Sequence, residues 1–179
     1  AEVVADAVCY TRDLVNRPGN LMTPSVMAEE AEALALEYDM EFEILDVTMM
    51  EAMGMHALLA VGQGSIHPPC LVTIKYNGAG AAPYTAYVGK GITFDSGGIS
   101  IKPSDNMGEM KDDMAGAGAV LGALRAIAAL KIPCNVMGII ACAENMPSGS
   151  AQRPGDVVKA ANGKTIEVIS TDAEGRMVL

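Results

Sequence analysis

An apolar strand that begins at Tyr84 and runs into glycines at 89, 91, 97 and 98 constrains this chain more than any other stretch. Residues 88–102 set Lys90 and Lys102 on either side of Asp95, among glycines suited to tight turns and to close approach of backbone to a ligand. The charges therefore gather where a strand ends, which is where open α/β sheets keep their sites.

Around that stretch the pattern alternates helices with strands. Val4, Val8, Leu14 and Val15 recur at helical spacing over residues 2–15, and Arg17-Pro18-Gly19-Asn20 stops them. Thr23-Pro24 offers an N-cap and a proline at the first helical position of a second helix. Residues 41–45 alternate as a half-buried strand should, and 48–53 predict a short helix whose Met49, Met50 and Met53, with Met55, are read as core packing. Residues 70–76 form a β-branched strand closed by Asn77-Gly78. From about 107 to 130 small residues dominate, with Met114, Leu121, Leu124 and Ile127 set for burial, so a helix is expected to press closely on a neighbour. The run 135–143 is continuously apolar, as in a strand buried on both faces. A Gly/Pro/Ser loop over 148–156 and a last strand over 165–169 then deliver residues 170–176.

This order predicts an α/β fold, a three-layer α/β/α sandwich around a mixed, largely parallel sheet. Residues 1–179 read as part of one domain, incomplete at the C-terminus because Met177-Val178-Leu179 is apolar and uncapped. With 4% aromatic residues and no Trp, the core must be aliphatic and Met-rich. Twenty-two acids against twelve bases, a net charge of −10, argue against a nucleic-acid surface and suit a cation site. Cys9, Cys70, Cys134 and Cys142 lie far apart and read as buried thiols of a reducing compartment. No leader opens the chain and no apolar run approaches the roughly 20 residues of a membrane span. A cytoplasmic setting without membrane contact is expected.

Four acids occupy unusual positions. Asp95 sits in the glycine-rich turn, Asp113 opens the small-residue helix, and Asp172 and Glu174 follow what reads as a buried strand. Carboxylates in such surroundings need partners, because burying one alone costs several kcal/mol or shifts its pKa. Those partners are either Lys90, Lys102 and Arg176, in an ion-pair network, or metal ions. His56 and His67 form no conventional zinc set, so a metal would be held mainly by oxygen. No phosphate-binding loop or dinucleotide fingerprint is present.

Residues 88–102, the run Met107 to Met114, Glu144-Asn145-Met146-Pro147-Ser148-Gly149 and Thr171-Asp172-Ala173-Glu174-Gly175-Arg176 occur in this order. Together they resemble the leucyl aminopeptidases of the M17 family, the cytosol aminopeptidases or aminopeptidases A, and residues 16–24 match the family's entry to its catalytic domain. The resemblance implies a pair of divalent metals, Mn²⁺ or Zn²⁺, that releases N-terminal residues, leucine or similar, from peptide substrates. It assigns Lys90, Asp95, Asp113, Asp172 and Glu174 as ligands, Asp95 and Glu174 bridging and Asp172 adding its backbone carbonyl. Lys90 must lose its proton to bind, which adjacent dications favour. A water bridging the metals is expected to attack the scissile carbonyl while the substrate's amine, bound to one metal, enforces the exopeptidase register. Lys102 is expected to stabilise the oxyanion, and Arg176 to hold a bicarbonate acting as general base. Met110 takes the place of a wall of the pocket for the N-terminal side chain.

Two departures stand out: Asp112 adds an acid beside Asp113, and Ser170 replaces the usual asparagine. The resemblance also implies a homohexamer, an N-terminal domain before residue 1 and a catalytic remainder after residue 179, without which these residues are expected to be inactive. Two other classes compete, a carboxylate–Mg²⁺ phosphoryl-transfer enzyme and a non-catalytic DNA-architectural protein, the latter needing a basic surface.

Overall fold

The computed structural model describes residues 1–179. Its centre is strand β4 (Asn135–Asn145), which pairs with β2 (Cys70–Asn77) antiparallel and with β3 (Tyr84–Asp95) parallel. Strand β1 (Glu41–Leu45) pairs antiparallel with β2, giving the order β1-β2-β4-β3. The sheet is mixed as expected, but only the β3–β4 pairing is parallel, so the largely parallel character is corrected to this one pair. A strand covered on both faces is continuously apolar whichever way its neighbours run, so the composition of β4 carries no direction.

Helices cover both faces. On one side α1 (Glu2–Asn16), α2 (Pro24–Glu37) and α5 (Ala115–Ala129) bring Leu14, Met27, Leu34, Leu121 and Leu124 onto Val72, Ile74, Val136, Ile140 and Cys142. On the other, Met50 of α3 (Val47–Ala52) and Leu58 and Val61 of α4 (His56–Gly62) meet Ile92, Ala141 and Ala143, with Met177 and Val178 of α6 (Gly175–Val178) packed against them. Alternate residues of β4 thus enter different cores, which explains its unbroken apolar run. The side chain of Thr23 caps α2 by accepting from Val26 N at 3.4 Å, and Pro24 follows at the first helical position.

The small residues of α5 act as read. A Cβ on Gly89 would lie 2.7 Å from the Gly116 carbonyl, so helix and strand touch backbone to backbone. Four local expectations change. Residues Met107–Asp112 form a 3-10 turn, and regular α-helix starts only at Ala115. Met50 is fully buried, but Met49 and Met53 are exposed, because a two-turn helix presents only one face to the core. The segment Thr165–Glu167 (β6) pairs with Val157–Lys159 (β5) in a separate hairpin rather than joining the main sheet. Asp172 and Glu174 therefore follow a short surface strand and not a buried one. All four cysteines are free, and Cys9 is exposed rather than buried. No helix is long and apolar enough to cross a membrane.

Candidate metal centre

The carboxylates converge at the C-terminal ends of β3 and β4. A register shift between Ile92 and Phe94 bends β3, after which Asp95 pairs with Asn145 of β4. Bulges of this kind re-aim side chains near sites. Beyond Asp95 the chain reverses at Gly97 (φ +88) and Gly98 (φ +70), and Lys102 N donates to the Ser96 carbonyl at 2.9 Å. Gly98 needs its missing side chain twice over, since its φ is left-handed and a Cβ would lie 2.8 Å from Asn145 Oδ1. The reversal returns Lys102 Nζ to 3.0 Å from Asp95 Oδ2 and 2.5 Å from Asp172 Oδ1.

Lys90, still within β3, reaches two other acids. Its Nζ lies 2.8 Å from Asp113 Oδ1 and 2.7 Å from Glu174 Oε1. Asp113 sits between the 3-10 turn and α5, and Glu174 between the Thr171–Ala173 turn and α6. Oxygens of Asp95, Asp172 and Glu174 lie within 4.8 Å of one another. Asp95 and Glu174 are each 2% exposed.

Two lysines interleaved among four acids leave an excess of two negative charges. Asp113 Oδ2 and Glu174 Oε2 are buried and have no hydrogen-bond partner. Buried carboxylate oxygens are normally paired, so the ion pairs alone do not satisfy this cluster and it retains capacity for cations. The donor set of carboxylate oxygens and one amine fits hard or borderline divalent ions.

Burial alone pushes the ammonium groups of Lys90 and Lys102 down. It is outweighed by hydrogen bonds to Asp113 and Glu174 in one case and to Asp172 and Asp95 in the other, so both stay above the ordinary lysine range. Asp113 moves up from the ordinary carboxyl range because burial outweighs the pull of Lys90.

The other candidates fall differently. Asp112 is exposed whereas Asp113 is half-buried against Lys90, so Asp113 is the acid of the cluster. Met110 is half-buried in the 3-10 turn, distinct from the core residue Met114. Arg176 stands apart from the acids. It is exposed, forms no ion pair, and lines an apolar cavity of about 530 Å³ with Leu58, Val88, Ile139 and Met177.

The residues that join the cluster's segments escaped sequence reasoning. Asn145 Nδ2 donates to Asp95 Oδ1 at 2.8 Å and to the Thr171 carbonyl at 3.0 Å. Thr171 Oγ1 accepts from Ser100 N at 2.8 Å and donates to the Gly97 carbonyl at 2.5 Å. One signal was available, a polar amide closing a continuously apolar strand.

A family model described as the cytosol aminopeptidase family, catalytic domain, matches residues 9–179. A probable cytosol aminopeptidase of Azotobacter vinelandii is 53% identical over 100% of this chain and 36% of that protein. One from Solibacter usitatus is 53% identical over 99% of this chain and 37% of its own length. The chain thus spans little more than a third of these relatives. Among solved structures, the bottromycin maturation enzyme BotP in complex with Mn superposes with a TM-score of 0.93 at 43% identity, covering 98% of this chain and 38% of that one.

Proposed function

Because the chain belongs to the cytosol aminopeptidase family, we propose that its full-length protein is a two-metal aminopeptidase releasing N-terminal leucine or similar residues from peptides in the cytoplasm. The observation that carries this reading is the cluster of four acids around Lys90 and Lys102, with two negative charges in excess and two buried oxygens unpartnered. Asp95, Asp113, Asp172, Glu174 and Lys90 would hold the ions, Mn²⁺ or Zn²⁺. When bound, such ions supply Lewis-acid polarisation of the scissile carbonyl and acidify water.

The chain's own residues supply the rest. Lys90 Nζ has to give up its proton to act as a donor, and its two acids are then free to turn their charge toward the cations. Lys102 Nζ keeps its proton, is steered between Asp95 and Asp172, and from there would stabilise negative charge developing on a substrate oxygen. The free α-amino end of a peptide, taken up as a ligand at the centre, would fix the register for removal of the first residue. Met110, flexible and half-buried, would form part of the wall against the departing residue's side chain. Arg176, free of any carboxylate, would have to turn from the apolar cavity toward the acids to hold a bicarbonate as general base. Assembly as a homohexamer belongs to the same proposal for the full-length protein.

The test is hydrolysis of leucine p-nitroanilide by the full-length protein, stripped with a chelator and resupplied with Mn²⁺ or Zn²⁺. Activity should vanish on stripping and return with metal. Turnover that survives complete removal of metal overturns the metal role, and metal uptake without release of leucine overturns the substrate class.

A further inference from the structure

We infer that Asn145 is a positioning residue of the carboxylate centre, acting with Thr171 to hold Asp95 and the turn that carries Asp172 and Glu174 in one arrangement. The inference rests on the metallopeptidase reading above and goes beyond its ligand set. The acids come from segments far apart in sequence, and no backbone–backbone hydrogen bond joins the 171–174 turn to the 96–102 loop. Side chains make that join. Thr171 Oγ1 bonds Ser100 N and the Gly97 carbonyl, Thr171 N donates to Ser100 Oγ at 3.1 Å, and Asn145 reaches the Thr171 carbonyl from the end of β4.

Asn145 spans from the Asp95 carboxylate to the backbone of that turn, whereas Lys102 joins Asp95 only to the side chain of Asp172. It is 2% exposed, and its own carbonyl is fixed by Ser96 N at 3.0 Å and Ser96 Oγ at 2.7 Å, so its amide is delivered from a rigid strand end. Asp95 Oδ1 accepts from both Gly97 N and Asn145 Nδ2, which leaves Oδ2 as the oxygen facing the centre, where Lys102 now sits. A primary amide suits the task because it offers two hydrogens on one nitrogen and adds no charge that would compete with Lys102 or a cation. Groups that orient a ligand carboxylate in this way typically govern 10–100-fold in metal affinity or activity.

The test uses the full-length protein with Asn145→Ala, Thr171→Val and Thr171→Ser. It reads Mn²⁺ affinity and stoichiometry by titration calorimetry, thermal unfolding of the chelator-treated protein, and kcat and KM on leucine p-nitroanilide. Asn145→Ala and Thr171→Val should weaken Mn²⁺ binding by about 10–100-fold and lower kcat with little change in KM. Thr171→Ser, which keeps the hydroxyl, should restore both. The metal-free unfolding midpoint of Thr171→Val should fall by only a few degrees, as expected for two lost local hydrogen bonds, and unfolding should stay cooperative, which separates loss of the centre from loss of the fold. Parental Mn²⁺ affinity and kcat in Asn145→Ala overturn the inference. If that variant does not fold, the same result in Thr171→Val overturns it. A parent that takes up neither Mn²⁺ nor Zn²⁺ overturns the underlying metallopeptidase reading, a result distinct from one in which parent and variants load equally.

Discussion

Lys90 and Lys102 carry the same charge and each meets two carboxylates, yet their surroundings differ in what they leave unsatisfied. Lys90 projects from within β3, and both of its acids, Asp113 and Glu174, keep a buried oxygen with no partner. Lys102 projects from the loop after Gly97 and Gly98. Of its acids, Asp95 has Oδ1 filled by Gly97 N and Asn145, and the side chain of Asp172 is 36% exposed, so water can serve it. The Lys90 half therefore retains capacity for a further cation, whereas the acid oxygens of the Lys102 half already have partners or solvent. Similar residues acquire different roles because backbone placement decides which acid oxygens are left over: Lys90 is suited to be displaced or to become a ligand, and Lys102 to remain an ammonium.

The largest expected effect comes from removing charge on the Lys90 side. On the proposed reading, Glu174→Gln in the full-length protein should leave metal content after dialysis near background and reduce leucine p-nitroanilide turnover to background as well. A variant that loads both ions and turns over normally would erase the distinction between the halves. Next comes Lys102→Ala, expected to keep both metals while losing about 10²–10³-fold in kcat, as for loss of one oxyanion donor. Loss of metal in that variant would move Lys102 into the ligand shell and make the two lysines equivalent.

Asp113→Asn separates stability from function. Burial raises the Asp113 carboxyl above its unfolded value of 3.8 even with Lys90 beside it. The native state thus binds more protons than the unfolded state over that window, and the metal-free protein loses stability from this group as pH rises through it. Asp113→Asn should remove that slope, leaving the chelated protein at least as stable as its parent at neutral pH, while metal binding falls. Urea unfolding of the chelated forms across pH 3.5–7 checks the sign. A variant less stable than its parent at neutral pH would show that the Lys90 pair outweighs desolvation.

The placement of these groups was legible in part. Strand ends, glycine turns and the order of the charged segments are local patterns, and they singled out Asp95, Asp113, Asp172 and Glu174 with Lys90 and Lys102 beside them, which the fold brings together; the choice of ligands among them came from the family resemblance. Strand direction was not legible, because burial on both faces produces the same apolar run in either orientation. Nor were the roles of Asn145 and Thr171, whose bonds span 26 and 71 positions and leave no periodic trace. Met49 and Met53 misled for a related reason: a short helix has an exposed face, and apolar character alone does not choose it. Arg176 belongs to the resembling segment, yet it faces an apolar cavity rather than the acids.

The smallest expected effect is also a sharp test of register. Asp112 and Asp113 are adjacent acids, and either could supply a carboxylate on sequence alone. The 3-10 turn ends between them, leaving Asp112 in solvent and directing Asp113 Oδ1 to Lys90 at 2.8 Å. Asp112 takes part in no ion pair or side-chain hydrogen bond, so Asp112→Asn removes only a solvated charge, and a surface change of that kind is usually worth within about 0.5 kcal/mol. Metal stoichiometry, kcat and unfolding midpoint should all match the parent, in contrast with Asp113→Asn. If Asp112→Asn loses metal and Asp113→Asn does not, Lys90 must face a different acid when ions are bound, and the contrast between the two lysines would have to be redrawn around that shift.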